Sequence, residues 1–121
     1  MINKKTLVLG ASPNPQRYGY KATVMLTAHG HEVLPFGLRA GKIGDVEIIT
    51  TLPDDEDIDT VTLYLGTQNQ HDYMDYMLKL KPKRVIFNPG TEHAEFEAQL
   101  KLAEIEPIEA CTLVMLQTGQ Y

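Results

Sequence analysis

Dense apolar runs alternate along this chain with longer segments in which apolar residues recur every three or four positions. Thr6-Leu7-Val8-Leu9 reads as a buried strand stopped by Gly10, and the polar, proline-marked loop Ser12-Pro13-Asn14-Pro15-Gln16-Arg17 follows it. From about Tyr18, positions Ala22, Met25, Leu26 and His29 follow one helical face until Gly30 supplies a C-terminal stop. His31 to Phe36 then reads as a second strand. Strand, glycine turn, helix and strand within about 30 residues make up a βαβ unit, whose crossover is almost always right-handed.

The rest of the chain repeats the alternation. Between Gly37 and Leu52 the pattern loosens, and Val46, Ile48 and Ile49 predict one brief edge strand. Asp54-Asp55-Glu56-Asp57 reads as a solvated loop, because consecutive carboxylates rarely converge on a metal. Ile58 to Leu65 is a continuous apolar and β-branched run, suited to a central parallel strand buried on both faces. Thr67 and Gln70 match a capping box opening the next helix, with Tyr73, Met77 and Leu80 as its inward stripe beside Met74 and Leu78. Arg84 to Phe87 is a strand, Asn88-Pro89-Gly90 a turn, and Phe96, Leu100 and Ala103 mark a helix face. Ile108 to Cys111 predicts a last strand, and Thr112 to Leu116 reads equally as a short helix or an extended edge. The alternation predicts a single α/β domain: a three-layer, Rossmann-like, doubly wound and mostly parallel sheet over residues 1–121.

Composition narrows the function classes. A chain of 121 residues makes one core, too small for a nucleotide domain joined to a separate substrate domain. With 11 Lys and Arg against 16 Asp and Glu, the net charge of −5 repels nucleic acid and anionic bilayers, so an anionic ligand must be captured locally. A single cysteine, Cys111, allows no internal disulfide and no cysteine zinc site; an inert core thiol is its simplest reading, a redox thiol or mixed disulfide the alternative. The opening apolar run is too short for a signal peptide, which makes the cytoplasm the expected compartment.

In a doubly wound sheet the ligand crevice lies beyond the strands' carboxyl ends where strand order reverses, so residues 10 to 19, 36 to 44 and 65 to 69 matter most. Gly10, Ala11 and Ser12, with Gly19 near the helix start, offer backbone N–H groups and a helix dipole to an anion, although a plain β-to-α turn has the same sequence. Ser12 and Asn14 bring polar side chains and Arg17 a cation. An NAD site places a carboxylate near the end of the second strand; here that end reads Pro35-Phe36-Gly37-Leu38-Arg39. Arg39, with Lys42 three residues later, instead suits an extra ribose phosphate, as in coenzyme A or NADP. His29 and His31 fit capping roles, His71 and His93 have no constellation that assigns them a reaction, and no catalytic or metal-ligand set is visible. A phospho-receiver domain is excluded, because its acidic positions are occupied by Gly10-Ala11-Ser12 and Leu65-Gly66.

These residues resemble the small coenzyme A-binding Rossmann-fold proteins, themselves similar to the coenzyme A-binding domain of succinyl-CoA synthetase. The likeness spans nearly the whole chain and is strongest in Val8-Leu9-Gly10-Ala11-Ser12-Pro13-Asn14-Pro15-Gln16-Arg17, with further support in Gly30-His31-Glu32-Val33 to Pro35 and Gly41-Lys42-Ile43-Gly44. Leu65-Gly66-Thr67-Gln68-Asn69 and Asn88-Pro89-Gly90-Thr91 depart from the family's pattern. The resemblance implies coenzyme A binding, with phosphates over the first loop and adenosine against the second, and it carries Gly10, Ser12, Asn14 and Arg17 over as binding positions. The expected function is therefore a coenzyme A or acyl-CoA binding module without catalysis of its own, acting as sensor, carrier or regulator. The alternatives are an NADP-binding protein or small oxidoreductase, and a protein interaction domain that has lost its nucleotide ligand and pairs with a partner protein or as a homodimer. In the last, Tyr64, Tyr73, Tyr76 and Met74 would form an exposed patch.

Overall fold

The computed structural model describes residues 3–121. In chain order the elements are β1 (Thr6–Leu9), α1 (Tyr18–Ala28), β2 (Val33–Phe36), β3 (Lys42–Ile43), β4 (Val46–Glu47), β5 (Thr60–Leu63), α2 (Thr67–Leu80), β6 (Arg84–Phe87), α3 (Ala94–Leu102), β7 (Glu106–Glu109) and α4 (Thr112–Gln117). Five strands form one sheet in the order β2-β1-β5-β6-β7, with every pairing parallel. The chain leaves β1 for β2 on one side and returns to β5 on the other, so strand order reverses between β1 and β5.

Strand alternation divides the core between the two faces. Leu7 and Leu9 of β1, Val61 and Leu63 of β5, and Val85 and Phe87 of β6 pack with Met77 of α2 and Phe96 and Leu100 of α3. Val8 and Val33 point the other way, toward Leu26 of α1 and Leu116 of α4. The result is the three-layer Rossmann-like architecture. Tyr73, Tyr76 and Met74 lie half-buried against the first core and Tyr64 against the second, so these four do not make an exposed patch.

Several predicted elements shift, each for a local reason. The single edge strand expected at Val46 to Ile49 is an antiparallel hairpin, β3 with β4, turned at Gly44 with φ 60°. Ile49 leaves the hairpin and bridges Phe36 in parallel. The strand expected from His31 starts at Val33; the N–H of Glu32 donates to Asn3 Oδ1, and His31 Nδ1 accepts from the Lys4 N–H. No capping box opens α2: its N-cap is Gly66, Thr67 Oγ1 donates to the Glu92 carbonyl, and Gln70 is fully buried. The last strand ends at Glu109, and the final apolar run is the short helix α4. Cys111 is its half-buried N-cap, not a residue closing a strand.

Candidate functional site

Gly10 ends β1 at φ 110°, a value only glycine holds comfortably, and the loop that follows is clamped on three sides. A Cβ on Gly19 would stand 2.7 Å from the Gly10 carbonyl oxygen, one on Gly37 2.2 Å from the Ala11 oxygen, and one on Gly10 3.0 Å from the Tyr64 backbone. Bare backbone therefore lets α1, the loop after β2 and the loop after β5 close on the first loop. Internal turns fix its shape: Ser12 Oγ accepts from the Asn14 N–H at 3.1 Å and Asn14 Oδ1 from the Gln16 N–H at 3.0 Å.

Over this arrangement opens a cleft of about 740 Å³, at the carboxyl ends of β1, β2, β5 and β6 and spanning the point where strand order reverses. That size and place are those of a small-molecule site in an open α/β sheet. Gly10, Ala11, Ser12, Asn14, Arg17, Gly19 and Arg39 all line it. Lys42 does not: it lies exposed on β3, opposite Glu47 in the hairpin, so the pairing of Arg39 with Lys42 is absent from the cleft.

The N–H groups of Gly10 and Ala11 both donate to the Phe36 carbonyl, at 3.0 and 2.7 Å, so these residues shape the loop and offer nothing to an anion. Asn14 likewise turns the loop and does not cap α1, whose N-cap Arg17 makes no side-chain capping bond. The first-turn amides of α1, at Tyr18 and Gly19, thus keep their donors. Arg17 and Arg39 are the cations of the lining, both exposed.

The remaining lining falls partly within residues 10–19, 36–44 and 65–69 and partly, at Tyr64, Asp72, Tyr73 and residues 89–91, outside them. Tyr18 and Leu38, 65% and 86% exposed, give the mouth an apolar surface. Gln68, Asn69, Asp72 and Tyr73 come from α2, and Pro89, Gly90 and Thr91 from the loop after β6. The switch-point rule pointed to residues 65–69 but passed over 88–91. Asn88 anchors that loop: its Nδ2 donates to Thr62 Oγ1 at 2.7 Å and to the Leu63 carbonyl at 2.8 Å, and its Oδ1 accepts from the Thr112 N–H at 2.8 Å. Tyr64 is among the lining residues while its side chain packs against the second core, and burial pushes its phenol up to about 12. Two of the histidines serve the scaffold: His93 Nδ1 caps α3 by accepting from the Phe96 N–H, and His29 is the C-cap of α1. Among the described residues no helix is long and apolar enough to cross a membrane.

Residues 4–117 match a family model described as a CoA binding domain. A solved structure titled as an uncharacterized protein is 50% identical, with a TM-score of 0.96 over 100% of both chains. A Thermus thermophilus protein is 27% identical at a TM-score of 0.85, covering 98% of this chain and 91% of its own. A hypothetical protein from Pyrococcus horikoshii OT3, 23% identical at a TM-score of 0.85 over 96% of this chain and 83% of its own, shares the fold. No curated protein matches the chain.

Proposed function

The chain belongs to the coenzyme A-binding domain family, and from that premise we propose that its cleft binds coenzyme A or an acyl-CoA as a sensor, carrier or regulatory module without transforming it. The observation that carries the reading is a cleft that gathers both its cations, Arg17 and Arg39, beside the open start of α1 in a protein of net charge −5. The residues fit the ligand's pyrophosphate, 3′-phosphate and adenosine. Pyrophosphate is held by Ser12 and the Tyr18 and Gly19 amides, where the helix dipole adds favourable potential. Arg17 neutralises it, and Arg39 holds the 3′-phosphate. Adenosine lies against the loop after β2, beside the exposed Leu38. Gly10, Ala11 and Gly37 supply shape, and Lys42 has no part.

The test is thermal unfolding of the purified protein with coenzyme A, acetyl-CoA, 3′-dephospho-coenzyme A, NAD and NADP. A bound ligand at about 100 times its dissociation constant adds roughly 2.7 kcal/mol, a shift of several degrees for a domain of this size. Coenzyme A and acetyl-CoA are expected to shift the transition and NAD to leave it unchanged. Arg39→Ala should weaken coenzyme A about tenfold or more and dephospho-coenzyme A far less, as measured by titration calorimetry. Equal losses for both ligands would remove Arg39 from the 3′-phosphate. A shift with NADP in place of coenzyme A would overturn the ligand assignment.

A further inference from the structure

We propose that this cleft prefers thioesters whose acyl end is uncharged over those whose acyl chain ends in a carboxylate, and that Asp72 sets the preference. The inference rests on the coenzyme A reading above and concerns the wall which that reading leaves unassigned. Because α1 and α2 pack on opposite faces of the sheet, the cleft over its edge runs between the start of α1 and the first turns of α2. The chemistry of the two sides is opposite. Arg17 at the start of α1 and Arg39 after β2 are the cations of the lining, and Asp72 on α2 is its one carboxylate among the described residues.

The neighbours of Asp72 in the lining offer an incoming anion no cation. Gln68, Asn69 and Tyr73, its neighbours on the wall, are uncharged. The side-chain amide of Gln68 lies over the N-cap Gly66, where a Cβ would stand 3.2 Å from Gln68 Oε1, so a neutral group screens the start of this helix. On the adjoining loop the Gly90 N–H already donates to Glu92 Oε1 at 2.9 Å, which places a second carboxylate at this rim. The wall is also tied down. Thr67 Oγ1 donates to the Glu92 carbonyl at 2.9 Å, and Gln70 Nε2 donates to the Leu65 carbonyl at 2.9 Å and the Thr91 carbonyl at 2.7 Å. These bonds join α2 to the loops after β5 and β6, so the wall does not swing away to relieve repulsion.

A ligand with its phosphates on the cationic side extends its neutral arm, with a hydroxyl and two amides, along this wall, whose amides and carboxylate are suitable partners. An acyl end bearing its own carboxylate meets Asp72, with Glu92 beside Gly90 on the adjoining loop, on the side of the cleft away from Arg17 and Arg39. In an open, hydrated cleft such like-charge repulsion amounts to roughly three- to tenfold in affinity at low salt, and it fades as the Debye length shrinks.

Titration calorimetry of the full chain with coenzyme A, acetyl-CoA and succinyl-CoA tests this, at low salt and again at about 0.5 M salt. Wild type is expected to bind succinyl-CoA several-fold more weakly than acetyl-CoA, with the gap narrowing at high salt. Asp72→Asn should close most of the gap, read as the ratio of acetyl-CoA to succinyl-CoA affinity within the same variant, and adding Glu92→Gln should close the remainder. Equal affinities in wild type, or a gap that neither variant changes, would overturn the proposal and leave coenzyme A binding intact. No binding of any of the three would overturn this inference together with the reading beneath it.

Discussion

At Gly37 a backbone hydrogen decides whether the site can exist. Its φ is not in the left-handed region, so the need is not conformational: a side chain would occupy the space of the Ala11 oxygen, 2.2 Å from its Cβ. Gly44 is the converse case, at φ 60° with nothing within 4 Å of a Cβ. Gly37→Ala should therefore cost about 3 kcal/mol, the upper end of overpacking penalties, and distort the first loop against its neighbours. Gly44→Ala should cost about 1 kcal/mol, from backbone strain alone. Urea unfolding of both variants measures the difference, and a larger loss at Gly44 would show that the close approach of the two loops is not what Gly37 secures. The same distinction separates Gly10 and Ala11 from Ser12: side by side in sequence, the first two spend their amides on Phe36.

Among the elements, the short strands carry the site and the loops beyond them are held by buried polar bonds. Asn88 connects the end of β6 to β5 and to the start of α4, through three bonds inside a nearly dry layer. Asn88→Ala leaves the Leu63 carbonyl and the Thr112 N–H without these partners, and unsatisfied buried groups of this kind cost about 1–3 kcal/mol each. The expected result is a loss of that order in urea unfolding, together with amide exchange accelerated at Gly90 and Thr91 more than in the first loop. Unchanged exchange there would mean that the loop after β6 is held mainly by α2, through Gln70 and Thr67. Periodicity located these strands and helices because each buries a face. It missed the β3-β4 hairpin, because Gly41 to Gly44 reads as loop until Ile43 is seen to be buried against the second core.

For the whole molecule, one cluster beneath the sheet joins distant parts of the chain. His31 Nδ1 accepts from the Lys4 N–H at 2.9 Å and its ring lies 4.9 Å from that of Tyr121, which also carries the Arg84 guanidinium 4.4 Å from its centroid. Burial, then the charges of Lys4, His29 and Arg84, hold His31 below its ordinary value, and Asp59 opposes them weakly. Between the folded value and the unfolded one of about 6.5, the unfolded chain binds more protons. This contribution to stability is therefore complete above about pH 6.5 and declines as pH falls toward the folded value. His31→Gln should be less sensitive than wild type between pH 7.5 and 5, above the range where carboxylates titrate. Parallel urea midpoints for the two proteins across that interval would contradict the role given to His31.

What the sequence determined by itself is the class of fold, the order of the five parallel strands and the first three helices, and a first loop carrying Gly10, Ser12, Asn14 and Arg17 beside the switch point. Those properties are local: apolar periodicity, glycine stops and the rule that places ligands beyond the strand ends act over short stretches of chain. What only the tertiary structure decided is which groups face the cleft and which are already engaged. Arg39 lines it and Lys42, three residues on, does not, because the hairpin carries Lys42 away. Asp72 and Thr91 join residues far from them in sequence, and the amides of Gly10 and Ala11 are spent on Phe36. Those outcomes depend on long-range parallel pairing and on backbone approaches of a few ångströms, and neither is encoded in the spacing of residues along the chain.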